Sequence, residues 1–252
     1  MQYKYVKEQQ DYSDFSSGRV FYSLPGHPAF PIRLASEIFQ RCLALRKTLY
    51  ENSTPCILYD PCCGAAYHLS VLACLHGEYI QKIIGSDVDE KAIAIAKRNL
   101  GLLSPAGLDN RISEISKMFE QYGKDSHQDA LESANILKNK LFSLPEKYLH
   151  ETQVFHADAA NSKEIYNNIK TKSVDIVFTD VPYGLHSHWH DSESGELSNP
   201  LRSMFDSLLG VLSPASIVAI VSDKQQKVSH EAYQRVEQFQ VGKRRVVILK
   251  PI

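Results

Sequence analysis

The chain has 252 residues, 43% hydrophobic and 23% charged, enough to close a core without disulfide or metal staples. Its formal net charge of −1 excludes a broadly basic nucleic-acid binder, so any grip on RNA must come from a local patch. No run approaches the roughly 20 apolar residues of a membrane span, and the opening stretch MQYKYVKEQQDYSDF lacks the basic-then-apolar pattern of an export signal.

The elements are expected in this order. After an N-terminal extension over 1–30, PIRLASEIFQRCLALRKTLY puts Ile32, Ala35, Ile38, Phe39, Cys42 and Leu49 on one helical stripe, with Pro31 suited to the first turn. CILYD (Cys56 to Asp60) is a short apolar strand ending in an acid, and IIGSD (Ile83 to Asp87) is another. DEKAIAIAKRNL opens a helix with acids. Two helices are then inserted over about 104–150. The first carries Leu108, Ile112, Ile115, Phe119 and Tyr122; the second carries Leu131, Ala134, Leu137 and Leu141 behind a Ser126-x-x-Asp129 capping box. Whether this insert packs on the domain or faces a substrate is open from sequence. TQVFHAD, VDIVFTD and SIVAIVSD supply three more strands ending at Asp158, Asp180 and Asp223. Between the last two, LRSMFDSLLGVL repeats Leu201, Met204, Phe205, Leu208 and Leu212. RVEQFQVGKRRVVILK reads as a hairpin about Val241-Gly242. Near-continuous apolar strands alternating with helices predict one α/β domain over 1–252 with a mostly parallel sheet and an antiparallel C-terminal strand.

In such a sheet, ligands bind beyond the carboxyl ends of the strands. Gly64 lets the backbone turn tightly there, Asp87 stands where an acid meets ribose hydroxyls, and Asp158 can meet an adenine amino group. A single acid at a strand end is more often a turn former, but successive strands here repeat it. Neither Gly-x-x-x-x-Gly-Lys-Ser/Thr nor Gly-x-Gly-x-x-Gly is present, which favours an adenosine ligand without phosphates, such as S-adenosylmethionine.

Asp180-Val181-Pro182-Tyr183 resembles the Asp-Pro-Pro-Tyr motif of methyltransferases acting on exocyclic amino groups. The carboxylate of Asp180 and the carbonyl of Val181 can each accept an N–H from a base amine, while Tyr183 stacks on the extruded base. Next come His186, His188, Trp189 and His190. His188 and Trp189 suit stacking or phosphate contact around the target, against the plainer reading of a solvated loop. The alternating histidines are a conceivable metal set, but no metal is assigned. The five cysteines (Cys42, Cys56, Cys62, Cys63 and Cys74) are odd in number and never spaced Cys-x-x-Cys; reduced thiols in a cytoplasm fit best. Lys243, Arg244 and Arg245, with Lys224, Lys227, Arg19 and Arg33, are candidate phosphate contacts.

The stretches PAFPIRLASEIFQR, YDPCCGAAYHLSVL, SDVDEKAIAIAKRNLGLLSPAGL, VDIVFTDVPYG and the pair His188-Trp189 are similar to the AviRa family of ribosomal RNA methyltransferases, which confers resistance to the orthosomycin antibiotic avilamycin. The resemblance implies a Rossmann-like class I methyltransferase fold and S-adenosylmethionine as donor. It also implies a guanine of 23S rRNA as target, in free RNA or a large-subunit assembly intermediate, with the exocyclic N2 the expected atom and a monomer the expected form. It places Asp60, Pro61, Cys62 and Gly64 in the first cofactor motif, Asp87 and Asp158 on ribose and adenine, and Asp180 through Tyr183 at the target. One departure stands out: the family has Gly-Ser-Gly where this chain has Gly64-Ala65-Ala66, so a Cβ at Ala66 is expected to crowd the cofactor and to strain a backbone of positive φ. The other readings are methylation of adenine N6 in DNA or of a protein amide, and an RNA-binding protein that kept the fold without turnover.

Overall fold

The computed structural model describes residues 3–26, 28–142, 151–181 and 199–252. Helix α1 (Ile32–Tyr50) leads into β1 (Cys56–Asp60), α2 (Tyr67–His76), β2 (Ile80–Asp87) and α3 (Glu90–Gly101). Helices α4 (Pro105–Tyr122) and α5 (Asp125–Phe142) follow, then β3 (Glu151–His156), α6 (Ser162–Asn168) and β4 (Val174–Asp180). Helix α7 (Pro200–Leu209), β5 (Leu212–Asp223), β6 (Tyr233–Val241) and β7 (Arg244–Pro251) complete the chain.

The strands form one seven-stranded sheet in the order β3-β2-β1-β4-β5-β7-β6. The first five neighbours pair in parallel, and β7 runs antiparallel to both β5 and β6. Side chains alternate between two buried layers. Leu58, Ile83, Ile176, Phe178 and Ile217 face a core shared with α1 to α5. Tyr59, Ile84, Val177, Val218 and Ile220 face a second core closed by α6 and α7. This two-sided burial is why the strand sequences are apolar throughout. From β1 the chain steps outward to β2 and β3, then returns to β4 on the other side of β1. The order therefore reverses between β1 and β4, and a crevice opens at their carboxyl ends. Among the described residues no helix is long and apolar enough to cross a membrane.

Several local expectations shift. Pro31 is the residue before the first turn of α1, and Leu49 is 38% exposed because the apolar stripe drifts off the core by the last turn. Ser126 lies inside α5, which starts at Asp125, so it caps nothing. Leu212 belongs to β5, since α7 stops at Leu209 before Gly210. Asp158 falls two residues beyond β3. Helix α6 has seven residues and one buried side chain, Ile165, too little for a periodic signal. The inserted pair buries Leu108, Ile115, Ala134, Leu137 and Leu141 in the first core beside Cys74 and Leu103, which is the packing role, while Tyr122 stays exposed.

Candidate active site

Strand β1 delivers Asp60 to the crevice fully buried. One carboxylate oxygen accepts the Cys62 N–H at 2.9 Å, and the other lies 3.2 Å from Nε2 of His68, in the first turn of α2. Burial pushes the Asp60 carboxyl up to about 8, the charges of Asp87 and Asp180 act in the same direction, and the Thr179 hydroxyl and the Cys62 N–H pull back only in part. Burial also pushes His68 down to about 4, against the Phe178 backbone. Around neutrality the shared proton therefore sits on Asp60, which donates it towards a neutral imidazole. The contact is close but not well aligned: Asp60 Oδ2 and His68 Nε2 have no well-aligned hydrogen-bond partner among the described residues, and neither does the Thr179 hydroxyl.

The loop after β1 is shaped by two residues of positive φ, Gly64 at 52° and Ala66 at 51°. The αL position expected to be strained at Ala66 is real. Ala66 has no exposed surface and packs in the first buried core. Asp87 at the end of β2 closes the loop, one oxygen accepting the Gly64 N–H at 2.7 Å and the other the Asp89 N–H at 3.0 Å. Each oxygen keeps a further lone pair. Asp158 holds its own turn, accepting the Ala160 N–H at 2.8 Å. Cys62 sits among these acids: burial raises its thiol, and the charges of Asp60, Asp87 and Asp158 raise it further.

Asp180 ends β4, and Val181 follows it fully buried, its N–H bonded to the Val221 carbonyl at 3.0 Å. Beside Asp180 lies a residue expected on the surface. Arg244, the first residue of β7, reaches across β5 until its Nε is 3.9 Å from Asp180 Oδ2. Its guanidinium lies over the Phe30 ring at 5.4 Å, and Phe30 in turn packs on His68 and edge-on against Phe178. Arg244 is thus built into the crevice. Arg33 is spent elsewhere: it donates to the carbonyls of Val6 and Lys7 and stacks on Tyr3. Arg245 donates to the Gln226 carbonyl at 3.3 Å. Lys243 is exposed at the β6–β7 turn. Pro182, Tyr183, His186, His188, Trp189 and His190 lie outside the described residues, and no metal-binding cluster occurs among the described ones.

Sequence reasoning missed His68, Thr179 and Asn99. Asn99, buried in α3, donates to the Ala65 carbonyl at 2.8 Å and holds the backbone of Tyr22 on both its N–H and C=O, tying the loop to the N-terminal segment. A polar residue in the buried face of a helix was the available signal.

Four acidic side chains thus line the ends of β3, β2, β1 and β4, with Asp60 protonated, close enough that the charges of Asp87 and Asp180 add to the raised pKa of Asp60. This set repels phosphates. It suits a ligand offering hydroxyl and amino donors and a positive charge, which is the chemistry of S-adenosylmethionine.

The chain matches the family described as rRNA methyltransferase AviRa over residues 1–244. It is 36% identical over 248 residues to the 23S rRNA (guanine(2535)-N(1))-methyltransferase of Streptomyces viridochromogenes, covering 98% of this chain and 95% of the relative. Two solved structures of the rRNA methyltransferase AviRa from that organism superpose with TM-scores of 0.86 and 0.85, at 34% and 35% identity, over at least 98% of this chain and 96% of theirs. Agreement of that extent, in sequence and in topology alike, means that the chain belongs to the AviRa family of rRNA methyltransferases.

Proposed function

We propose that this protein methylates N1 of a guanine in 23S rRNA, using S-adenosylmethionine. The observation that carries the reading is Asp180: a carboxylate at the end of β4, at the crevice where the strand order reverses, with a guanidinium at its side. The donor supplies a methyl group already activated on a sulfonium, so the chain's work is to bind, orient and manage one proton. Asp87 and Asp158 hold the ribose and adenine ends, and Asp60, Pro61, Cys62 and Gly64 shape the loop between them. Asp180 borders both ligands. Val181, Pro182 and Tyr183 enclose the extruded base, with His188, Trp189 and Lys243 on the surrounding RNA.

The choice of N1 over the N2 expected from sequence draws on the activity named for the 36%-identical relative. It also draws on chemistry. Guanine N1 carries a proton that must leave, and Asp180, at the end of β4, is the base that takes it. The substrate is free 23S rRNA or a large-subunit assembly intermediate, met by a monomer in the cytoplasm, and tolerance of orthosomycins is the expected consequence.

The test is mass-spectrometric mapping of 23S rRNA from cells with and without this chain. One guanosine should carry a methyl at N1 only when the chain is present. Asp180→Asn should lower the transfer rate by about 10²–10⁴-fold while leaving the calorimetric affinity for S-adenosylmethionine nearly unchanged. A methyl found on adenine, on protein or on guanine N2 refutes the N1 reading.

A further inference from the structure

Arg244 is an unusual arginine for an RNA contact. Its side chain is 28% exposed, and its Nε is buried without a hydrogen-bond partner among the described residues. Asp180 at 3.9 Å attracts it but lies beyond hydrogen-bond distance. A buried N–H is costly unless an acceptor meets it, and the planar guanidinium fork is made for oxygen acceptors. Among the described residues, the charged groups around it are these. Asp180 faces it from β4, and Asp60 with His68 lies behind Phe178 and Phe30. Asp223, its ladder partner on β5, is turned into its own loop and accepts the Gln225 N–H at 2.8 Å, and Lys224 follows it in sequence. The buried Nε, without a partner among the described residues, is thus next to Asp180, at the place assigned to the guanine.

Removing the N1 proton of guanine puts negative charge on the ring, and most of it develops on O6, the atom adjacent to the N1 edge. A carboxylate for N1–H and a guanidinium for O6 are needed side by side, and that is the pairing of Asp180 with Arg244. Resting on the N1 reading above, we infer that Arg244 is a further catalytic residue, donating to guanine O6 as the charge builds there. The step balances. The N1 proton passes to the Asp180 carboxylate, the N1 electron pair forms the bond to the methyl carbon, and the carbon–sulfur pair stays on sulfur as a neutral thioether. The charge on O6 disappears as the N1–carbon bond forms, and Asp180 returns its proton to water.

The experiment measures single-turnover methylation of deproteinised 23S rRNA from cells lacking this chain, from pH 6 to 9. It compares wild type, Arg244→Gln and Arg244→Lys, with the product identified by mass spectrometry. Loss of a donor to a developing oxyanion costs about 10²–10³ in rate. Arg244→Gln should therefore fall by about that factor at neutral pH and recover part of it at high pH, its rate–pH midpoint moved upward. Arg244→Lys, which keeps the charge without the fork, should lie between. Cofactor affinity by calorimetry and RNA affinity by filter binding should stay within about threefold, the level at which a role in RNA docking would already show. An N1-methylated product with an unshifted pH profile in both variants overturns the inference, whether the rates are kept or lost together, and leaves the N1 reading standing. An N2-methylated product from wild type overturns the reading, and the inference with it.

Discussion

Asp60 and His68 illustrate how burial decides which side chain keeps a proton. Folded, Asp60 holds its proton up to pH about 8; unfolded, it loses it near 4. Folding takes up a proton across that window, so this group's contribution falls as pH rises through it. His68 does the reverse. It is protonated below about 6.5 when unfolded but only below about 4 when folded, so its contribution grows with pH between those values. The two slopes cancel up to pH 6.5, and a net loss of about 2 kcal/mol remains between 6.5 and 8. Urea unfolding at those two pH values should show that decline in wild type and not in Asp60→Asn; equal declines would refute the pairing. Ala66 poses a second balance. Its left-handed backbone costs about 1–2 kcal/mol, but its buried methyl and the stiffer unfolded chain offset about as much. Ala66→Gly should therefore shift stability by less than about 1 kcal/mol. Because Ala66 is fully buried, the variant should bind S-adenosylmethionine within about threefold of wild type by calorimetry; a tenfold gain in affinity would show that the methyl obstructs the crevice.

At the scale of elements, α1 does more than cover the sheet. Its fully buried Glu37 accepts the N–H groups of Lys4, Tyr5 and Val6 at 2.7–2.9 Å and pairs with Arg41 at 2.6 Å. Arg41 also bonds Glu237 on β6. Burial pushes the Glu37 carboxyl up, but the three N–H groups and Arg41 outweigh it and hold the group below its usual value. One helix thus fastens the N-terminal segment to the edge of the sheet, and that segment carries Phe30 to the crevice. Glu37→Ala leaves a buried guanidinium and three amides short of an acceptor, a loss of about 3 kcal/mol or more. The melting temperature should drop by roughly 2–4 °C per kcal/mol, and proteolysis should open the chain near residues 4–7. A melting temperature unchanged within error would show that water replaces the carboxylate. In sequence, Glu37 reads as one more charge on an amphipathic helix, because the three amides it accepts from are more than thirty residues away.

For the molecule as a whole, four of the strands could be read as apolar runs ending in acids, a fifth as a run whose acid lies two residues beyond it, and the hairpin from its turn, because strand burial and turn chemistry are local. The reversal of strand order at β1 and β4 comes from how the crossovers pack, and it is this reversal that gathers Asp60, Asp87, Asp158 and Asp180 at one edge. By itself the amino-acid sequence determined the α/β class, the acids at the strand ends and, through motifs spread along the chain, the AviRa family. Only the tertiary structure decided that Arg244 turns inward to Asp180, that Arg33 is spent on the N-terminal segment, and that Asp60 shares a proton with His68. The reason is physical. A residue's chemical type and its periodicity are carried by its near neighbours, but its burial and charge environment are set by groups brought together from distant parts of the chain.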